Sequence, residues 1–122
     1  MAKNYSETEI ELINIYIGCK LRLERLKRNL SQYEVGIKSG TDNTAVGRIE
    51  RAEHISAWSK IFLVCQYLEI DFKKLFILKS KEDLLSTVKD CYSLENKLNK
   101  EKDKYYNGLI NTIESLFSKL DV

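Results

Sequence analysis

Residues 30–51 read LSQYEVGIKSGTDNTAVGRIER, and this stretch decides the fold. Ser31 is followed three positions later by Glu34, the pairing of a capping box that begins a helix. Gly40 stands where a short turn needs a left-handed residue, and Asp42 is placed to cap a second helix. The stretch therefore predicts a helix-turn-helix, with helices at 32–39 and 43–51.

Apolar residues at helical spacing predict further helices on both sides of this motif. The preceding helix covers 12–28, and Arg22 and Arg25 fall on its polar face. A fourth helix follows Ser56 as its cap, and Asp71 caps a short fifth helix. The fold class is therefore all-α, a five-helix bundle. We expect the large aromatic residues after the motif to be in its core: Trp58, Phe62, Phe72 and Phe76.

The last third of the chain has a different character. Its apolar positions approximate a heptad seam, but a polar stretch interrupts them, so a long regular coiled coil is not expected. The segment is predicted to be one long helix or a helical hairpin. Its apolar stripe cannot be hidden by the segment alone, which favours a homodimer or a protein partner. The alternative dimerising element is the short fifth helix, with Phe72, Leu75, Phe76 and Ile77. The predicted organisation is an extension at 1–11, a bundle at 12–78 and an oligomerisation segment at 79–122.

Composition excludes several classes of protein. The 122 residues are 43% hydrophobic and 31% charged and contain no proline, as in a small helical domain. The sequence has no apolar run near the ~20 residues of a membrane span and no signal peptide, so we expect a cytoplasmic protein without membrane contact. Three dispersed cysteines form no metal-binding pattern. With one histidine and no glycine-rich phosphate loop, we expect no catalytic site, metal or cofactor.

Charge is unevenly distributed. Residues 12–76 carry 11 Lys and Arg against 7 Asp and Glu, whereas residues 77–122 carry 8 of each. The basic excess coincides with the helix-turn-helix, as expected for a surface that attracts DNA phosphates.

Residues 14–77 resemble the phage-repressor-like, Xre-type family of helix-turn-helix regulators. The combined spacing of several short motifs carries the resemblance, which does not extend over residues 80–122. The motifs are Ile17-Gly18, Leu21-Arg22 with Arg25, Leu30-Ser31-Gln32, Gly40, Val46 followed by Arg48-Ile49-Glu50-Arg51, and Leu68-Glu69-Ile70-Asp71 before Leu75-Phe76.

The resemblance implies how the domain would meet double-stranded DNA. The second helix of the motif would enter the major groove, where arginine pairs with guanine and asparagine with adenine. Other side chains would contact phosphates and set the register. The implied base-reading residues are Asn43, Thr44 and Arg48. The implied phosphate contacts are Gln32, Arg51 and Lys38, and the implied structural ion pair joins Arg25 to Glu50.

Three positions depart from the family pattern. Gly36 replaces the usual alanine of the packing face, which is sterically acceptable but less rigid. Gly47 stands where a polar base-reading residue is common. Ala52 stands where a glycine usually ends the helix, so the helix is expected to end differently.

The function that the resemblance implies is a transcriptional regulator, in most members a repressor, that binds a palindromic operator as a homodimer. The alternative is a protein-interaction module of antitoxin-like or anti-regulator type. In that alternative the bundle is a scaffold, and residues 79–122 bind a partner helix.

Overall fold

The first helix is the centre around which the other helices pack. A computed structural model describes residues 4–95 and 97–120, and this part of the chain contains helices and no strand. The helices are α1 (Glu7–Lys27), α2 (Gln32–Ser39), α3 (Asn43–Arg51), α4 (Trp58–Leu68), a 3₁₀ turn (Phe72–Lys74), α5 (Lys81–Leu94) and α6 (Lys100–Leu120). Helix α1 contacts α3, α4, α5 and α6. The expectation of an all-α bundle is confirmed.

The boundaries of the helix-turn-helix follow the local signals in the sequence. Ser31 and Glu34 form the predicted capping box at the start of α2. Gly40 ends α2 with φ +84°, in the left-handed region. The Asp42 carboxylate accepts a 2.8 Å hydrogen bond from the main-chain N–H of Ala45 and thereby caps α3. Because side-chain hydrogen bonds and turn chemistry are local, these boundaries could be predicted without tertiary information.

Close backbone packing holds α3 in place. A β-carbon added at Gly18 of α1 would lie 2.4 Å from the carbonyl oxygen of Ile49 in α3. One added at Gly36 of α2 would lie 2.5 Å from the carbonyl carbon of Asp42. A β-carbon therefore has no room at Gly18 or Gly36, and α3 packs closely against both α1 and α2.

Several expectations about the bundle are wrong. Helix α1 begins at Glu7, after a capping box made by Ser6, so residues 7–11 belong to it. Helix α4 has Ala57 as its N-cap, without a side-chain cap from Ser56. The predicted fifth helix is only the 3₁₀ turn.

The aromatic residues of this region are also misplaced by the sequence prediction. Trp58 is 67% exposed, Phe76 46% and Phe62 37%, and only Phe72 is partly buried against the core. The buried face of α4 consists instead of smaller residues: Ile61, Val64, Cys65 and Leu68.

The last third of the chain is a helical hairpin, which decides between the two predicted alternatives. Leu84, Val88 and Cys91 of α5 are buried and belong to the same core as α1, as do Ile113 and Leu116 of α6. The expectation that this stripe needs a second molecule is therefore wrong, because α1 covers it within the chain. Among the apolar positions of the hairpin, Leu94 and Leu98 remain exposed.

The three cysteines are all buried and free. Burial raises the pKa of the Cys19 and Cys91 thiols to about 12, and that of Cys65 to about 11. The Cys91 thiol donates a 3.4 Å hydrogen bond to the carbonyl oxygen of Cys19 and so joins α5 to α1. The cysteines serve as small core residues.

Candidate nucleic-acid interface

The outer side of α3 presents the three residues to which the resemblance assigns base reading. Asn43, Thr44 and Arg48 are all exposed. Thr44 and Arg48 lie one helical turn apart and line a groove of about 430 Å³ together with His54 and Lys60. Because the Asp42 cap fixes the first turn of α3, Asn43 and Thr44 project from a well-defined helix end, and Arg48 follows in the last turn.

The residues assigned to phosphate contact occupy three different environments. Lys38 is exposed in the last turn of α2. Arg51 is also exposed, and its Nε donates a 2.7 Å hydrogen bond to the Glu53 carboxylate. Gln32 is half-buried, and its amide Nε2 donates to Glu50 Oε1 at 3.0 Å. The side chain of Gln32 is thus engaged inside the protein, whereas Lys38 projects into solvent.

The space beside Gly47 is bounded by two polar side chains. A β-carbon at this position would lie 2.9 Å from Nη1 of Arg51 and 3.4 Å from Oε1 of Gln32. The glycine leaves a gap on α3 over which these two polar side chains converge. Because the nearest atom is the end of the exposed Arg51 side chain, a larger residue at position 47 would displace that side chain and would not disturb the backbone.

A buried carboxylate lies behind this surface. Glu50 is 2% exposed and accepts hydrogen bonds from three side chains. Arg25 donates from Nε to Oε2 at 2.6 Å and from Nη2 to Oε1 at 2.9 Å. Arg22 donates from Nε to Oε1 at 3.1 Å, and Gln32 completes the set. We call Arg22, Arg25, Gln32 and Glu50 the Glu50 cluster; it joins α1, α2 and α3.

The Glu50 cluster extends into the C-terminal hairpin. Nη1 of Arg22 donates a 3.3 Å hydrogen bond to the hydroxyl of Tyr106, which itself donates to Glu95 at 3.1 Å. The guanidinium of Arg22 also lies 4.7 Å from the ring centroid of Tyr105, within range of a cation–π interaction. The hairpin is therefore connected to the base of α3 by polar contacts as well as by the core.

Sequence reasoning did not find Arg22 and Tyr106 as members of this cluster. The two residues are 84 positions apart, and helical spacing placed Arg22 on a solvated face. No local signal marks such a contact, although an arginine beside predominantly apolar neighbours in α1 is a weak indication. Arg25 and Glu50, which the resemblance pairs, were identifiable because their spacing is part of the motif.

Electrostatics favour the ionised form of Glu50. Burial alone would raise the pKa of this carboxyl, but the hydrogen bonds and charge of Arg25 and the charge of Arg22 outweigh it, and the pKa is lowered. In the part of the chain that the structure describes, every buried side-chain nitrogen and oxygen has a hydrogen-bond partner. The cluster is thus fully satisfied within the protein, which is typical of a structural element.

Comparison with protein-family models, curated proteins and solved structures finds no significant match to this chain. Within residues 4–95 and 97–120, no helix is both long and apolar enough to cross a bilayer. The same residues contain no group of three or more acidic, histidine or cysteine side chains that could hold a metal ion.

Proposed function

We propose that this protein is a sequence-specific double-stranded DNA-binding regulator that acts as a homodimer on a palindromic operator. One observation carries the proposal. Helix α3 is fixed on its inner side by Glu50 and at its start by Asp42, while Asn43, Thr44 and Arg48 are exposed on its outer side. A rigid helix with exposed polar groups along its outer side has the form that major-groove reading requires.

Each exposed group has a defined task in the proposed complex. Arg48 would donate two hydrogen bonds to a guanine, and Asn43 would pair with an adenine. Thr44 would contact a neighbouring base edge or a thymine methyl group. Lys38 and Arg51 would neutralise phosphates and set the register of the domain.

Gln32 would contact a phosphate through its main-chain N–H rather than its amide. The amide is held by Glu50, whereas the N–H lies in the first turn of α2, where the partial positive charge of the helix favours an anion. The side chain would then position α2 relative to α3. This assignment and the resemblance to Xre-type regulators support the same docking pose.

The homodimer would provide both affinity and site length. One helix-turn-helix reads few base pairs, and two copies would read half-sites about 34 Å apart, one turn of the double helix. Among regulators of this type, repression by steric block of transcription is the commonest outcome, and we extend it to this protein as part of the proposal.

Selection from a pool of randomised duplex DNA at several salt concentrations tests the proposal. We expect enrichment of an inverted repeat. Arg48→Ala should lower affinity for the selected site by about 10- to 100-fold, since one bidentate base contact contributes about 1–3 kcal/mol of discrimination. Lys89→Ala removes a positive charge from the exposed side of α5 and is the matched control, with no loss of sequence preference.

Lys38 gives an independent readout. Lys38→Gln should reduce the slope of log affinity against log salt by about 0.9 and leave the preferred sequence unchanged, as expected for one lost phosphate contact. Retention of DNA without any enriched sequence, together with an Arg48→Ala variant that binds like the parent, would overturn the proposal.

The protein-interaction alternative drew its support from an apolar stripe in residues 79–122. Since the buried part of that stripe packs on α1, it is not available to a partner helix, and no specific observation favours this alternative. Truncation before α5 does not test it, because removing α5 would expose the core face of α1.

A further inference from the structure

A cluster of exposed apolar side chains lies on one side of the bundle. It consists of Ile10, Ile55, Trp58, Phe62 and Phe76, which we call the aromatic face. Their exposed fractions are 48%, 72%, 67%, 37% and 46%. The aromatic rings form a continuous series of edge-to-face contacts, from Trp58 through Phe62 and Phe72 to Phe76, with centroid distances of 6.4, 5.3 and 4.9 Å.

A groove runs through the aromatic face. It has a volume of about 500 Å³ and is lined by Ile10, Ile55, Trp58 and Phe76 together with more deeply placed residues of α1 and α4. The lining includes Asn14 and Ser56 but no charged side chain. We propose that the aromatic face is the homodimer interface, covered in solution by the same face of a second copy of this chain.

The exposed area agrees with what a dimer needs. At about 150–250 Å² for each large side chain, the exposed fractions amount to roughly 500 Å² of apolar surface. A standard interface covers about 800 Å² on each partner, of which about 65% is apolar in homodimers, so roughly 500 Å² of apolar surface is required. An exposed apolar patch of roughly 500 Å² is near the upper end of the sizes found on monomeric proteins, and patches of this size often mark interaction sites.

The shape and charge of the face also favour a second copy. A two-fold interface is self-complementary, so one surface must provide both the projecting group and the recess that receives it. The indole of Trp58 projects beside the groove, and the groove is the recess. Without charged residues in the lining, the centre offers nothing to an acidic peptide or a nucleic-acid backbone, and charge depletion is typical of an interface core.

The position of the face suits the proposed DNA complex. Ser56 and Ala57 line this groove and also the groove that contains Thr44 and Arg48. The aromatic face therefore adjoins the groove that contains Thr44 and Arg48, so two copies joined there would present two such grooves on either side of the two-fold axis. This inference deepens the homodimer part of the proposed function and moves the contact from residues 79–122 to α4 and its neighbours.

The chain carries its own probe for this contact, because Trp58 is its single tryptophan. Fluorescence emission should shift to shorter wavelength as the protein concentration rises, since the indole leaves water when the dimer forms. Sedimentation equilibrium on the same samples should give a molecular mass approaching twice 14.2 kDa. Both measurements use the full chain without DNA, so they do not depend on operator binding.

Two matched substitutions locate the contact. Phe76→Glu puts a charge into the groove and should raise the dimer dissociation constant at least 100-fold, with Trp58 retained as the probe. Leu98→Glu makes the same chemical change at a half-exposed residue of the α5–α6 turn and should change nothing. Ile55→Glu, at the most exposed residue of the face, should act like Phe76→Glu and covers the case in which that variant fails to fold.

Three outcomes would overturn the inference: a monomer with constant emission at all concentrations, a dimer broken by Leu98→Glu, or a dimer unaffected by Ile55→Glu. The DNA readout separates this failure from that of the proposed function. A folded Phe76→Glu variant should still prefer the selected half-site, but its binding to the full inverted repeat should be weaker than that of the parent.

Discussion

The Glu50 cluster and the aromatic face both depart from the usual rule that charged side chains are exposed and apolar ones are buried. The Glu50 cluster buries charged side chains, and the aromatic face exposes apolar ones. In the first, a carboxylate and two guanidinium groups are buried, yet their hydrogen bonds are satisfied by one another and by Gln32 and Tyr106. In the second, large apolar side chains are exposed at 37–72% and no part of the described chain covers them further. Buried polar groups that all have hydrogen-bond partners are typical of a structural role, whereas a large exposed apolar surface is typical of a binding site.

The difference also separates two ways in which function depends on the fold. The Glu50 cluster acts by fixing the orientation of α3, so its loss should affect stability first. The aromatic face acts by contact with another molecule, so its loss should leave the folded monomer intact. The following predictions test this division, beginning with the largest effect.

Removing the buried carboxylate should be the most costly change. Glu50→Gln leaves Arg22 and Arg25 buried without a counter-charge, and we expect a loss of about 3–5 kcal/mol in the free energy of unfolding. Urea denaturation followed by circular dichroism measures it. Glu53→Gln, which breaks the exposed pair with Arg51 just beyond the end of α3, is the control and should be indistinguishable from the parent. Equal effects of the two substitutions would contradict a structural role for the cluster.

The contact between α1 and α3 should be nearly as sensitive. In Gly18→Ala the new methyl group meets the carbonyl oxygens of Ile49 and Glu50 at 2.4 and 2.7 Å, so the helices must separate. We expect a loss of about 1–3 kcal/mol. Gly108→Ala in α6 has open space around it and should instead stabilise the protein by up to ~1 kcal/mol. The same substitution should thus lower the free energy of unfolding at position 18 and raise it at position 108. A stabilising Gly18→Ala would refute the close packing of α1 and α3.

Acid should reduce the contribution of the Glu50 cluster to the free energy of unfolding, whereas the aromatic face should be insensitive to acid. The pKa of Glu50 is lowered in the folded protein, and the unfolded value is about 4.3. The unfolded chain therefore binds more protons as the pH falls below that value, and stability that is fully present above it is lost progressively towards the lower folded pKa. Glu24, whose pKa falls to about 2 because hydrogen bonds from Arg28 and Lys20 outweigh its burial, adds to the loss.

Urea denaturation at pH 7, 5 and 3 measures this dependence. Between pH 5 and 3, the free energy of unfolding should fall less steeply in Glu50→Gln than in the parent. Trp58→Gln, an uncharged substitution in the groove of the aromatic face, should leave the slope of unfolding free energy against pH unchanged. If Glu50→Gln leaves the slope of unfolding free energy against pH unchanged, the acid sensitivity belongs to other carboxylates.

The smallest effect is expected at the most prominent aromatic residue. Trp58→Gln, made in the Phe76→Glu background so that the face stays uncovered, should change the unfolding free energy by no more than about 0.5 kcal/mol. Leu68→Ala on the buried side of the same helix should cost about 2–5 kcal/mol, because Leu68 is 1% exposed. A large loss from Trp58→Gln would place the indole among the residues that hold the monomer together.

The sequence was most informative where structure depends on neighbours along the chain. The Ser31 capping box, the Gly40 turn and the Asp42 cap are each defined within a few residues, and all three are present as predicted. The spacing that relates Arg25 to Glu50 could be recognised as part of a motif. The exposure of Asn43, Thr44 and Arg48 follows from helical periodicity, while their contact with DNA stays a prediction.

Long-range packing explains what could not be predicted. Helical periodicity gives one polar face, but α1 is surrounded by four helices, so Arg22 is buried and paired with Tyr106 from the far end of the chain. Hydrophobicity alone places a tryptophan inside, yet Trp58, the first residue of α4, lies at the edge of its core face and is 67% exposed. The expectation that α3 ends differently without a glycine is wrong, because Ala52 ends this helix with φ +52°, in the left-handed conformation that usually selects glycine.

The buried thiols have a practical consequence for labelling. Cys19, Cys65 and Cys91 are buried, and burial raises the pKa of each thiol, so thiol reagents should leave the folded chain unmodified at pH 8. A cysteine introduced at Thr44 would then be the single reactive thiol and would sit on the outer side of α3. A spin label or cleavage reagent attached there could report the position of this helix without any prior removal of native cysteines.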